Sequence, residues 1–370
     1  MADDTLPPMA TSPASSGDLR PTRTAHDPVD RANRIADAWF FDGHLDLAYL
    51  GVRGRDLRAE AVPDGSGCVT LPALRAGDVR IAMATIFTEA LGDVTGDPSA
   101  YRAIDDVEGA ARAGRLQLAW YESMERAGAI RIVRTPEDLV PTPGPGEPLR
   151  VVLLMECADP IRDCAEAAWW IAAGVRVVGL AWARGSRAAG GNGAPGPLTA
   201  HGRALVDELD SLEVIHDLSH LSDEGVDELL ERTHGPAIAS HSNCRALVGD
   251  NQRHIADWHI AALGARGGAV GLNLFAKFLR NDRRPTIADC VAHIERVAEL
   301  MGHCRGIALG SDMDGGFDAS QLPEGLDHPS RLPALLDALA QRGFSDSEIR
   351  GFAHDNWLRI LTSGRSHPQS

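Results

Sequence analysis

The sequence contains no apolar run long enough to cross a membrane. A membrane-spanning helix needs about 18 or more consecutive apolar residues, and no stretch of the 370-residue chain approaches that length. The net charge of −16 disfavours nucleic acid and anionic membrane surfaces as partners. The first 30 residues lack the apolar core of a secretion signal and the last eight are polar, so we expect neither a leader peptide nor a lipid anchor. These absences predict a cytoplasmic protein that binds neither nucleic acid nor a membrane.

The six cysteines form no regular framework. None belongs to a Cys-x-x-Cys pair, and their spacing along the chain is irregular. In a chain of this length, such cysteines are typical of buried free thiols in a reducing compartment. We therefore expect six free thiols.

Eight short apolar runs, rich in Val, Ile, Leu and Phe, recur along the chain, and amphipathic segments lie between most of them. Runs of this kind are typical of parallel strands that are buried on both faces. Eight strand–helix alternations predict an α/β fold, a (β/α)8 TIM barrel. The predicted strands are 39–43, 81–87, 151–157, 175–182, 214–220, 237–241, 269–275 and 306–312.

One domain accounts for almost the whole chain. We expect a single barrel over residues 34–364, preceded by a disordered tail over residues 1–33 that is rich in Pro, Ser, Thr and Asp. Residues 365–370 are expected to form a flexible C-terminus. An open doubly wound sheet is the alternative α/β arrangement, but no glycine-rich phosphate loop follows the first strand, which favours the barrel.

Acids and histidines follow several of the predicted strands. A buried charge costs several kcal/mol unless it is paired or bound to a metal, and barrel enzymes collect their catalytic residues at the carboxyl ends of the strands. Three imidazoles with three carboxylates suit zinc, and one carboxylate can bridge two ions. Two such ions activate a water molecule, and a remaining carboxylate can act as general base. The six residues are His44, Asp46, Glu156, His220, His241 and Asp312, with Asp312 as the candidate general base.

Taken singly, each of these side chains also has an ordinary structural explanation. Glu156 could form a buried ion pair with Arg176 or Arg184, and Asp312 could cap the turn that follows it. Single histidines at strand ends are often hydrogen-bonded core residues. The joint pattern favours the metal interpretation, because all six residues fall on the same side of the predicted barrel.

Strings of residues along almost the whole predicted domain resemble the membrane (renal) dipeptidase family of zinc metallopeptidases, in the amidohydrolase superfamily. They occur in the family's order and span about residues 40–361. Together they imply the TIM-barrel fold of a metal-dependent hydrolase. The strings are Asp42-Gly43-His44-x-Asp46, Met155-Glu156, Leu198-Thr199-x-x-Gly202-Arg203, Asp217-Leu218-Ser219-His220-Leu221-Ser222-Asp223, Ala239-Ser240-His241-Ser242-Asn243, Arg253-His254-Ile255, Gly310-Ser311-Asp312-x-Asp314-Gly315 and Asp355-Asn356-Trp357-Leu358-Arg359.

The resemblance implies a metallodipeptidase that hydrolyses the amide bond of dipeptides. Asp312 would transfer the proton and hold the free amino group of the substrate. Arg253 would bind the substrate's terminal carboxylate, a bidentate task that suits guanidinium. Relatives also suggest a homodimer. The implied metal sites are one Zn²⁺ on His44 and Asp46 and a second on His220 and His241, with Glu156 and a hydroxide bridging the two ions.

Two positions depart from the family pattern and alter the predicted substrate pocket. Many relatives end strand four with Leu-Thr-His, whose histidine is taken to stabilise the oxyanion, whereas this chain has Trp182 there. Relatives often have a tyrosine where this chain has Phe275. An indole N–H donates a hydrogen bond but carries no charge. Two alternatives to a dipeptidase therefore stay open: a zinc hydrolase of another small amide, lactam or modified amino acid, and a catalytically silent homologue.

Overall fold

Eight parallel strands close into a barrel. The structure, a computed structural model, describes residues 38–62, 65, 67–92 and 96–362, so the predicted tail at 1–33 and C-terminus at 365–370 lie outside the described residues. The first strand pairs with the second and the eighth, and the second pairs with the third, which closes the sheet. The predicted TIM barrel is confirmed. Its strands are β1 (Phe40–Leu45), β2 (Val79–Ile86), β3 (Leu149–Met155), β4 (Val175–Gly179), β5 (Ile215–Asp217), β6 (Ala237–Ala239), β7 (Ala269–Leu272) and β8 (Ile307–Leu309).

Helices surround the barrel and also lie on the loops at its two ends. The longest are Val107–Arg126 and Ile287–Met301, whose buried residues recur every three or four positions, as expected for amphipathic helices packed on a sheet. The helices are α1 (Leu47–Val52), α2 (Leu71–Ala76), α3 (Val107–Arg126), α4 (Ala167–Ala173), α5 (Ala200–Ser211), α6 (Asp223–Arg232), α7 (Arg245–Val248), α8 (Asp257–Ala265), α9 (Ala276–Leu279), α10 (Ile287–Met301), α11 (Pro333–Gln341), α12 (Asp346–Arg350) and α13 (Asn356–Thr362).

Two apolar clusters explain why the strands are hydrophobic on both faces. One cluster takes residues from all eight strands, such as Phe41 and Ile238, and fills the barrel together with Trp357 of α13. The other takes alternate strand residues and packs them against the helices. Trp357 approaches β1 so closely that a Cβ at Gly43 would lie 2.7 Å from its ring. Its indole nitrogen donates to the carbonyl of Leu309 at 2.8 Å, so α13 joins the first and last strands.

Seven of the eight barrel strands end earlier than the sequence predicts, and several candidate site residues therefore lie on loops. The predicted strand 214–220 stops at Asp217, and the predicted strand 306–312 stops at Leu309. His220 and Asp312 lie beyond these ends and adopt positive φ angles of 66° and 57°. Such angles are uncommon outside glycine, and here they turn both side chains back over the mouth of the barrel.

The glycine-rich segment after β4 forms a β-hairpin that packs on the barrel mouth. Its antiparallel strands are Ala189–Gly191 and Ala194–Leu198. Two backbone–backbone hydrogen bonds join it to the loop after β5: Asn192 N donates to the carbonyl of His220 at 2.8 Å, and Ser222 N donates to that of Gly190 at 3.3 Å. We refer to this segment as the 189–198 hairpin.

The predictions about the cysteines and about membrane-spanning segments can also be compared with the structure. Among the described residues, which include all six cysteines, no disulfide bond is formed, and four of the cysteines are buried. Among the described residues, no helix combines the length and the apolar character that crossing a bilayer requires.

Candidate metal centre

The six predicted acids and histidines converge at the carboxyl end of the barrel. His44 lies in β1, and Glu156 directly follows β3. All six residues are buried. Their possible ligand atoms form three groups, in each of which the atoms lie within 4.8 Å of one another. The groups are His44, Asp46 and Glu156; Glu156, His220 and His241; and His44, His241 and Asp312.

Glu156 lies at the centre, and its two oxygens face different histidines. Its Oε2 is 3.6 Å from Nε2 of His44. Its Oε1 is 3.1 Å from Nε2 of His220 and 3.6 Å from Nε2 of His241. The alternative partner Arg184 instead pairs with Glu89 at 2.9 Å. A carboxylate in this position can bridge two metal ions.

The possible ligand atoms are poorly satisfied by hydrogen bonds with one another, which favours bound metal ions. Nε2 of His44 is buried and makes no hydrogen bond. Nε2 of His220 and Nε2 of His241 face each other at 3.0 Å, an arrangement in which one nitrogen at most can donate. Burial and the neighbouring Glu156 carboxylate raise the pKa of Asp46 to about 6. Crowded acids and unpaired imidazole nitrogens are what a bound cation would stabilise.

The pKa values of the three histidines differ because their surroundings differ. Burial, with the nearby Arg253 guanidinium, lowers the pKa of His220 to about 4, and burial also holds the pKa of His241 well below its usual range. Burial opposes the charged form of His44 as well, but the adjacent carboxylates, Glu156 first, outweigh it and raise the pKa to about 10. A metal ion among these carboxylates would take the place of the proton on His44.

Asp312 is held rigidly at the edge of the cluster. Its Oδ1 is 4.0 Å from Nε2 of His44, and its Oδ2 accepts a hydrogen bond from Nδ2 of Asn273 at 2.8 Å. A Cβ at Gly315 would lie 1.9 Å from Oδ1, so the loop can place the carboxylate here only with glycine at that position. Burial raises the pKa of Asp312 to about 7, and the charge of Asp46 adds to this effect.

Two other acids of the same sequence strings hold loops together instead of facing the centre. Asp42 accepts from the backbone N of Ser311 at 2.8 Å and thereby joins the ends of β1 and β8. Asp314 accepts from the backbone N of Cys68 and of Val69, at 3.0 and 2.9 Å, and pairs with Arg55. These bonds fasten the loop before α2 to the loop that carries Asp312.

Comparison with known proteins identifies the family. The family model described as membrane dipeptidase (peptidase family M19) matches residues 29–367. The chain belongs to this family. Members of this family are metallodipeptidases, so the chain is a hydrolase of that class, as its sequence strings predict.

Individual M19 relatives differ in how much of their length is matched. An uncharacterized protein in the pqqA 5′ region of Klebsiella pneumoniae is 33% identical over 202 residues, 51% of this chain and 72% of the relative. An uncharacterized dipeptidase of Schizosaccharomyces pombe is 34% identical over 164 residues, 44% of this chain but only 39% of the relative. A metallopeptidase structure from Rhodobacter sphaeroides, liganded with a phosphinate mimic of the dipeptide L-Ala-D-Ala, is 25% identical, with a TM-score of 0.76 over 88% of this chain and 99% of that one.

Arg253 lies beside the candidate metal ligand His241 on the loop between α7 and α8. It is buried, and it donates from Nη2 to the carbonyl of His241 at 2.9 Å and from Nη1 to Oγ of Ser242 at 3.3 Å. Its guanidinium lies 4.8 Å from the ring centroid of Phe278. A small cavity nearby is lined by residues that include Arg253, Ser242 and His220.

The two residues that depart from the M19 pattern belong to separate aromatic groups. The partly exposed Trp182 has its ring centroid 5.7 Å from that of His220 and 5.3 Å from that of Phe87. Phe275 stacks on Phe317 at 4.5 Å and meets Phe278 edge-on at 4.8 Å. Trp182 therefore lies against the predicted metal ligand His220. Phe275 contacts Phe278, whose ring lies beside the guanidinium of Arg253.

Several residues that contact the centre were not among the predicted site residues. Thr85 donates from Oγ1 to Oδ1 of Asp46, and Ser240 lies within hydrogen-bonding distance of two histidines. Asn192 of the 189–198 hairpin contacts His220. Ser240 could have been suspected because it precedes His241, but no local pattern marks Asn192.

Proposed function

We propose that this M19 protein is a binuclear zinc dipeptidase that hydrolyses the amide bond of dipeptides. The observation that carries the proposal is the position of Glu156 between His44 on one side and His220 and His241 on the other. The Rhodobacter structure, at 25% identity, holds a mimic of a dipeptide, which supports dipeptides as the substrate class. Cytoplasmic location and a homodimer stay predictions.

In this proposal the residues divide into two ion sites. His44 and Asp46 would hold one zinc ion, His220 and His241 would hold the other, and Glu156 would ligate both. Zinc bound there would lower the pKa of water and polarise the scissile carbonyl. The neutral imidazoles and ionised carboxylates that zinc needs are consistent with the low pKa values of His220 and His241.

Asp312 moves the proton. Its carboxylate accepts a proton from the attacking water and returns it to the leaving nitrogen as the C–N bond breaks, so each turnover consumes one water and leaves Asp312 unchanged. Because burial raises its pKa to about 7, the group can both accept and release a proton near neutral pH. We also propose that Asp312 holds the substrate's free amino group.

The decisive test is turnover of L,L- and L,D-dipeptides by the zinc-reconstituted protein, with Asp312→Asn as the blank. Turnover well above the blank supports the dipeptidase. A protein that binds two zinc ions but cleaves no dipeptide favours another amide substrate. A protein that binds no zinc after careful purification is a silent homologue.

Arg253→Ala is expected to raise KM for dipeptides by about 10- to 100-fold, since hydrogen bonds to charged groups contribute about 1.5–3 kcal/mol. We expect little change in KM for C-terminally amidated dipeptides, which offer no carboxylate to a guanidinium. The measurement is KM for matched free-acid and amide substrates. Arg150→Ala is the control, because Arg150 is equally buried but bonds carbonyls at the opposite end of the barrel. An equal rise in KM for both substrate types would show that Arg253 has a structural role and does not bind the substrate carboxylate.

The position of Trp182 against His220 favours a second candidate, a zinc hydrolase of another small amide, lactam or modified amino acid. If dipeptides are the substrate, Trp182→His should change kcat for dipeptides by less than about tenfold, because the indole already supplies a donor. A rise near the 10²–10³-fold typical of an oxyanion donor would favour the second candidate. Trp258→His is the control, since Trp258 is exposed.

A further inference from the structure

Ser240 faces two of the three imidazoles at the centre. Its Oγ lies 2.8 Å from Nδ1 of His241 and 3.3 Å from Nδ1 of His44. The same hydroxyl donates to Oδ2 of Asp217 at 2.5 Å. Asp217 is also fixed, because its other oxygen accepts from the backbone N of Ser240 at 2.9 Å and of Ser219 at 3.0 Å.

These bonds determine which nitrogen of each ring carries the proton. A serine hydroxyl has one proton, and a carboxylate such as Asp217 can only accept it. Ser240 must therefore accept from both rings, so His44 and His241 each carry their proton on Nδ1. A metal ion in place of the second proton on His44 would then find the Nε2 lone pairs of both rings available, the arrangement that a metal ligand requires.

The third imidazole, that of His220, is held in the same way by Asn192, which lies 28 residues away in sequence. Oδ1 of Asn192 lies 3.1 Å from Nδ1 of His220. The backbone N of Asn192 donates to the carbonyl of His220 at 2.8 Å. With Nδ1–H donated to Asn192, Nε2 of His220 is free to face Glu156 at 3.1 Å.

The glycines of the 189–198 hairpin bring Asn192 to this position. A Cβ at Gly191 would lie 2.0 Å from the carbonyl of Trp182. The backbone N of Gly193 donates to the carbonyl of Ala183 at 2.8 Å. Only glycines beside the turn, at 191 and 193, let the hairpin lie this close to the loop after β4.

We propose that Asn192 and Ser240 are positioning residues that hold all three imidazoles in the Nδ1–H form, so that zinc affinity depends on a hairpin outside the ligand set. The inference rests on the proposed zinc centre. Asn192 acts on one ion site through His220. Ser240 acts on both, because His44 and His241 belong to different ion sites.

Zinc affinity tests the proposal without relying on catalysis. Metal-free wild type and variants are titrated with Zn²⁺ against a chromophoric chelator, and the dissociation constants of the two equivalents are compared. We expect Asn192→Ala to weaken one equivalent by about 10- to 100-fold, the usual effect of losing such a partner. Asn192→Asp should restore it, because a carboxylate also accepts from Nδ1–H. Ser240→Ala should weaken both equivalents.

The control is Asn281→Ala, since Asn281 is exposed and its amide donates to the carbonyl of Val248 at the end of α7. Asn192→Ala with wild-type zinc affinity overturns the proposal, as does Asn192→Asp that binds no better than Asn192→Ala. The two Asn192 variants decide the matter even if Ser240→Ala does not fold. Wild-type protein that binds no zinc would instead refute the proposed function.

Discussion

Replacing Asp312 with asparagine is expected to lower kcat for dipeptides by about 10³-fold, within the range for losing a general acid–base group, while both zinc ions stay bound. Asparagine keeps the shape of the side chain and its hydrogen bond with Asn273 can be re-formed by a rotated amide. It has no group that accepts and returns a proton near neutral pH. The loss should therefore appear in kcat and leave zinc content unchanged.

The measurement combines steady-state kinetics with zinc analysis of the same protein samples. Asp318→Asn is the matched control, because Asp318 lies on the same loop but is exposed and caps a short helical turn. A variant with full zinc content and unchanged kcat would rule out Asp312 as the proton carrier. Loss of zinc would instead make Asp312 a ligand, as its place in the group with His44 and His241 allows.

Replacing Glu156 with glutamine is expected to weaken both zinc equivalents by more than about 100-fold, beyond the effect of losing an outer hydrogen-bond partner. Glu156 faces all three histidines. Burial alone would raise its pKa, but the charge of His44 outweighs burial and holds the pKa below the usual range. A glutamine offers one neutral oxygen, and its amide nitrogen cannot ligate a metal. Dipeptide turnover should fall to the level of the Asp312→Asn blank.

Zinc titration and turnover are measured on the same variant, and far-UV circular dichroism checks that it folds. Glu125→Gln is the control, because Glu125 lies on α3 and pairs with Arg134 outside the barrel. Loss of one zinc equivalent only would contradict a bridging role and assign Glu156 to a single ion.

The architecture and the composition of the centre can be predicted from the amino-acid sequence. Runs such as 151–157 are apolar because a strand of a closed barrel is buried on both faces, and this burial is visible in the local pattern. A charged residue such as Glu156 stands out at the end of such a run, because a buried charge needs an ion-pair partner or a metal ion. The positions of the six candidate residues at one end of the barrel follow from strand direction alone.

Only the tertiary structure decides which atoms meet. Ser240 and His44 are 196 residues apart in sequence, and Asn192 and His220 are 28 apart, so no periodicity connects them. The strands also stop earlier than their apolar pattern predicts, because the chain at His220 and Asp312 turns through positive φ to bring both side chains over the barrel. Proton positions and pKa values depend on these contacts and on burial, which arise only when the barrel closes and the hairpin packs on it.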